Sequence, residues 1–404
     1  MGLLGSLPHT LLTQSVQAWI SVSGGSVLYS GSATLVGLPF AFRFLWAYMA
    51  DYLKCVYDVA YHNTLLYVAI ATAILMFSLS YYDPLNNAKM FFAIIFFGCV
   101  LSATIDTILD GVRITITPSD CASVLTSVYC SSYRMGFLIT NGLGYLLVKR
   151  VGWSSFFTFM SVMVFLLSVL VAFAFRRAEL VARLQAVQDD ARMAGDGWGL
   201  VDFNTVFINT TVLVVMLKWH EVLIASLIQP FFLQGLSLSL DEVGAWLNTF
   251  GTLANIGGSM FAGFCMQTFH RRFVIRSVVL MQLAASVGFA AIAVGFDHPL
   301  WINGVIFAEK FSDGLMNTTI MMIILHYCNK GRATTENALI LSLTSACRAL
   351  VGPLAAGIHS LGGDWYGFFM LSALMLLPVL FILERCVWDD FFGYQKNTLV
   401  KPAV

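Results

Sequence analysis

Twelve stretches of mostly apolar residues, each near the length that crosses a bilayer, constrain the fold of this chain more than anything else in it. They run over 3–22, 30–50, 64–82, 89–110, 124–148, 154–175, 205–234, 242–268, 273–296, 300–327, 336–360 and 365–387. A spanning helix needs roughly 20 such residues. The expected fold class is therefore an all-α polytopic membrane protein, with twelve transmembrane helices in two six-helix halves. Only 11% of the residues are charged and 58% are hydrophobic, whereas a soluble domain carries about 25% charge. The first stretch lacks the positively charged lead of a secretory signal, so it is expected to remain as a span.

Connections between the stretches are short except at 176–204, where Arg176, Arg177, Glu179, Arg183, Asp189, Asp190, Arg192 and Asp196 gather. This divides the chain into an N-terminal six-helix bundle (1–175), a partly helical cytoplasmic linker (176–204), a C-terminal six-helix bundle (205–388) and a cytoplasmic tail (389–404). Positive charge on the loops sets orientation. With both termini inside, fourteen of the 22 Lys and Arg fall on the inner side, among them Lys54, Arg113, Arg176 and Arg271. Only Lys89, Lys149 and Arg150 fall outside, and Arg43, Arg134, Lys218, Lys310 and Arg348 lie within spans. The expected location is a bacterial inner membrane, crossed many times, with both termini cytoplasmic.

The halves resemble each other. Arg134 is followed by Gly142, Gly144 and then Gly152-Trp153; Arg348 is followed by Gly352, Gly357 and then Gly363-Asp364-Trp365. Arg and Trp are 19 residues apart in the first half and 17 in the second, and each Trp opens an apolar helix. That places helices 5–6 and 11–12 in equivalent positions with the same topology, the pattern of a parallel repeat.

Charges inside the spans carry the functional reading, because an ionisable group in lipid is costly and faces a cavity or a partner. Arg43 stands in the apolar run Phe42–Ala50, which ends at Asp51. Asp106 and Asp110 are four residues apart, on one helix face, with Asp110 near the cytoplasmic end. Lys218, His220 and Glu221 share helix 7, and Glu309, Lys310 and Asp313 share helix 10. Such pairs either pin helices together or serve a cavity. In the second case Arg43, Arg134 and Arg348 attract an anionic solute, since guanidinium matches carboxylate and phosphate. Desolvation favours a neutral carboxyl group, which suits Asp106, Asp110, Glu221 and Glu309 to proton coupling. Gln17 and Trp46 are further solute-contact candidates, Gln14 and Asn255 are equally suited to bonding between helices, and Asp51 is the gating candidate.

Composition narrows the alternatives. Net charge is zero and no segment combines dense Lys/Arg with aromatics, so nucleic acid is not expected as a partner. Eight cysteines form no Cys-x-x-Cys pair, and Cys99, Cys130, Cys265 and Cys347 lie in apolar runs. Neither metal nor cofactor is expected. A membrane-embedded enzyme would need a nucleophile or acid–base pair in a re-entrant loop, but His9, His62, His298 and His359 are scattered.

The same residues resemble the AmpG group of bacterial muropeptide permeases within the major facilitator superfamily. The likeness covers most of the chain: Leu7-Pro8 and Gln17-Ala18-Trp19, Phe42-Arg43-Phe44-Leu45-Trp46 with Asp51, Asp106 and Asp110, Tyr133-Arg134-Met135-Gly136, Lys218, Glu309, Cys328-Asn329-Lys330, and Arg348 with Val351-Gly352-Pro353. The resemblance implies proton-driven import of anhydro-muropeptides, a step of peptidoglycan recycling, by a monomer working through alternating access. The partners are then the bilayer, protons and a small anionic solute. Departures are Tyr48 for a proline, Tyr52 for an arginine, a basic cluster reduced to Lys54, and His220-Glu221 for Gly-Asp. Siderophore import is the alternative within transport, because relatives of this length include siderophore importers. A non-transporting sensor is the alternative that the altered loop after Asp51 suggests.

Overall fold

The computed structural model describes residues 1–23, 37–49, 61–117, 121–189, 205–238, 240–327, 336–346 and 364–385. Every regular element among them is helical. In chain order the main helices are α1 (Gly2–Thr10), α2 (Val16–Val22), α3 (Tyr61–Leu79), α4 (Ala88–Ile116), α5 (Ala122–Phe137), α6 (Gly144–Asp189), α7 (Thr205–Pro230), α8 (Gly251–Thr268), α9 (Arg271–Ala293), α10 (Pro299–Tyr327), α11 (Trp365–Leu374) and α12 (Leu377–Arg385). Residues 43–49 and 336–346 are also helical.

Among the described residues, five segments are helices long and apolar enough to cross a membrane: Ala88–Ile114, Leu147–Ala174, Phe207–Ala225, Arg272–Ala293 and Trp365–Leu383. They fall on five of the twelve apolar stretches. Of the others, 30–50 and 336–360 lie partly outside the described residues, 64–82 holds the shorter apolar helix Asn63–Leu79, and four depart for local reasons. That at 300–327 is one continuous helix, but Glu309, Lys310 and Asp313 interrupt its apolar run. Those at 3–22, 124–148 and 242–268 contain wide π turns, at Leu11–Ser15, Leu138–Leu143 and Gly244–Phe250. Hydroxyl groups compete for backbone carbonyls there: Thr10 and Thr13 donate back to Ser6 and His9, Thr140 to Gly136, and Thr249 to Gly244. Such back-bonding loosens the helical ladder, and π turns gather at functional sites.

The sequence expects a break between 148 and 154, and α6 supplies it at Gly152, whose φ of 79° and ψ of 166° lie outside the helical region. Glycine adopts a positive φ without the steric penalty of a side chain. Beyond this kink α6 runs on to Asp189, well past the last apolar residue of its span.

Buried apolar residues separate along the sequence. One cluster draws only on residues from Leu4 to Val171. Two others draw on Phe207–Leu383 and Val222–Phe369, joined by Ile114 from the end of α4. Phe156, Phe157 and Phe91 fill the first cluster around Trp19, and Phe231, Phe289 and Phe369 fill the last.

Among the described residues, α8 and α10 approach backbone to backbone. A Cβ on Gly258 would run into the Phe311 carbonyl oxygen, and one on Gly314 into that of Asn255. Small residues let transmembrane helices meet backbone to backbone. This crossing sets Asn255 against Asp313. The N- and C-terminal parts of the chain meet chiefly where α5 packs along α8. There a Cβ on Gly263 would strike the Ser127 hydroxyl. Nearby, Phe44 donates its backbone N–H to Ser342 Oγ (3.3 Å).

Candidate functional site

Two clusters of buried ions lie inside the bundle. The first is built on α4, whose helical repeat puts Asp106, Asp110 and Arg113 on one side. Arg43 reaches both acids from residues 43–49, with its Nη1 3.6 Å from Asp106 and 3.9 Å from Asp110. Arg113 is 3.8 Å from Asp110, and Tyr129 on α5 donates its hydroxyl to Asp110 Oδ1 at 3.0 Å. The Arg113 guanidinium also lies 5.0 Å from the Tyr129 ring centre, a cation–π contact. Asp106 sits under α1, its Oδ1 at 2.7 Å from where a Gly5 side chain would begin.

The second cluster joins the two parts of the chain. Arg134 on α5 stands 3.7 Å from Asp313 on α10 and keeps 32% of its side chain exposed. Both Asp313 oxygens also accept amide hydrogen bonds, from Asn255 (2.8 Å) and Asn317 (2.9 Å). Asn317 in turn accepts from Lys218 on α7, whose ammonium is 2.5 Å from Glu221. Lys310 and Glu309 pair at 3.0 Å alongside. A polar face continues from Arg134 on α5 into the π turn that follows it: seven residues on, Asn141 donates to Gln14 (2.7 Å) and lies 3.3 Å from the Ser15 hydroxyl. Two of the π turns therefore meet through side chains that the loosened backbone presents.

Most of the expected residues are gathered by these clusters, with corrections. Asp110 is not at a wet rim but 2% exposed, and Arg113, expected among the inner-side loop charges, is equally buried. Its position at the end of a span hid it, although the Asp110–Arg113 spacing of three was the available signal. Asp313, Asn317 and Tyr129 are the other polar centres missed as site residues. Trp46 uses its indole N–H on the Pro39 carbonyl (3.3 Å) and packs against the first core. Gln17 lies on α2, with its side chain outside the described set, and Asp51 and Arg348 lie outside the described residues.

A family model described as Major Facilitator Superfamily matches residues 2–350. The chain belongs to the major facilitator superfamily. As a member of it the protein is a membrane transporter, not an enzyme. It is 23% identical over 390 residues to the anhydromuropeptide permease of Escherichia coli (strain K12), covering 96% of this chain and 78% of that protein. It is 21% identical over 394 residues to a Rickettsia conorii protein named as an AmpG transporter, covering 95% and 94%. Among solved structures, the proton:xylose symporter XylE superposes with a TM-score of 0.70 at 13% identity, covering 95% of this chain and 93% of that one. The human organic anion transporter MFSD10 superposes with 0.67 at 14%, covering 95% and 97%. These superfamily structures share the fold with this chain. The ion clusters above are read from its own residues.

Proposed function

We propose that this protein imports anhydro-muropeptides across a bacterial inner membrane, driven by protons, through alternating access of two six-helix halves. The observation that carries the reading is Arg134. It is a cation one-third exposed on one half, facing a carboxylate of the other, in a chain aligned along nearly its whole length with an anhydromuropeptide permease. A peptide-bearing sugar offers carboxylates to such a group. Arg43 with Asp106 and Asp110 supplies the second charged wall, and Arg348, Gln17 and Trp46 complete the proposed solute contacts. Asp106, Asp110, Glu221 and Glu309 are the proposed proton-coupling groups, and Asp51 the gate. With both termini cytoplasmic, the end at which α5 packs on α8 is the cytoplasmic one.

Labelled anhydro-muropeptide, offered to right-side-out membrane vesicles with and without a pH gradient, tests the cargo. Gradient-dependent uptake is the expected result, and Arg134→Ala abolishes it while insertion stays normal. No uptake in vesicles of verified insertion overturns the cargo assignment.

A further inference from the structure

Asp313 is held by two asparagines besides Arg134. Its two oxygens accept from Asn255 and Asn317 at 2.8 and 2.9 Å, so the carboxylate stays in place without Arg134. Arg134 contributes only a 3.7 Å ion pair, longer than a hydrogen bond, and a third of it remains exposed. The contact that joins the two halves is thus the looser one, and a solute carboxylate entering beside Arg134 can take bidentate bonds that Asp313 does not make.

We infer that Asp313 is the group that an anionic cargo displaces from Arg134, and that the displaced carboxylate takes up the proton that travels with the cargo. Charge accounting requires the second half of the statement. Among the described residues, the ionic network around Asp313 holds Arg134 from α5, Lys218 with Glu221 from α7, linked through Asn317, and Lys310 with its partner Glu309 on its own helix. Three cations meet three carboxylates. A cargo carboxylate adds a fourth anion to this buried set, and an unbalanced charge away from water costs several kcal/mol. A proton from the open side, bound to an Asp313 oxygen, removes the excess. When the cargo leaves on the other side, Arg134 returns to Asp313 and the proton is released there. Each displaced carboxylate therefore carries one proton. The inference rests on the reading above that the cargo is an anion, and it singles out Asp313 among the acids of the interior.

The test uses the full-length protein in proteoliposomes, with anhydro-N-acetylmuramyl tripeptide as probe and the membrane potential clamped at zero. With about one pH unit across the membrane, one proton per cargo drives about tenfold accumulation. Wild type should reach that ratio. Asp313→Asn should fall to a ratio near one yet keep cargo counterflow at equal pH, and Asp313→Glu should restore accumulation. Accumulation by Asp313→Asn equal to wild type overturns the inference. So does loss of counterflow in a monodisperse Asp313→Asn while Asp313→Glu retains it, since the carboxylate would then be needed to hold cargo.

A second readout needs no cargo. Infrared difference spectra between acid and neutral pH should contain a protonated-carboxyl band that Asp313→Asn removes. Asp313→Glu should shift this band, and it decides the matter if the Asn variant does not fold. A band unchanged in these variants overturns the inference. If wild type neither accumulates nor exchanges the probe, the cargo reading fails, and the infrared result alone judges Asp313.

Discussion

Tyr129 and Arg113 leave the Asp110 carboxylate little freedom, and both do so from fully buried positions. A hydrogen bond to a charged acceptor contributes about 1.5–3 kcal/mol, so Tyr129→Phe should lower thermal stability in detergent measurably while the protein still folds. Arg113→Met removes one partner of a buried ion pair and should cost more, about 3–5 kcal/mol. A melting temperature in Arg113→Met as high as in Tyr129→Phe would show that the pair is not the main anchor. These residues also mark where the sequence stops being legible. Arg43, Asp106 and Arg134 stand out because each is a lone ion in an apolar run. Arg113 does not, because a basic residue at the end of a span ordinarily snorkels to water. Here α5 and α10 cover the place where water would be, with the Tyr129 ring 5.0 Å from the Arg113 guanidinium and the Met321 sulfur 3.7 Å from its Nη2. Only the tertiary packing reveals that.

At the scale of elements, the helices follow from hydrocarbon thickness, which is why their places can be read from apolar length alone. The kink at Gly152 is readable too, as a glycine between two apolar runs. The π turns are not, because they depend on which hydroxyl wins which carbonyl, as at Thr10 and Thr140. The α8–α10 crossing offers a sharper test, since α8 carries four glycines and α10 two, in different surroundings. Gly258→Leu places a side chain against the Phe311 carbonyl and should abolish folded protein. Gly304→Ala, on the same α10 with nothing within 4 Å of the new Cβ, should be tolerated or gain about 0.5–1 kcal/mol from helix propensity. Yield and monodispersity on size-exclusion chromatography separate the two outcomes. Equal behaviour would mean that the crossing is not a fixed contact.

Across the whole molecule, the buried apolar clusters of the described residues separate along the chain. What joins the separate cores is chiefly the α5–α8 contact. Ser127→Cys with Gly263→Cys should cross-link there on oxidation, once the two helices ease apart by the few tenths of an ångström that take the Cβ atoms from 3.0 Å to disulfide range. Labelled anhydro-muropeptide uptake should fall more than about tenfold in the oxidised double variant and return with reductant, an effect beyond about 1.4 kcal/mol. Neither single cysteine should respond. Full uptake while cross-linked would mean that this end never opens. One consequence follows from the glycine-to-backbone seam between α8 and α10. With Gly258 and Gly314 each seated on the other helix's backbone, the two helices move as one piece, and Asn255 stays with Asp313 wherever they go. Ordering a side chain can cost up to about 2 kcal/mol. For this grip that entropy is lost once, when the chain folds, and is not lost again in each transport cycle.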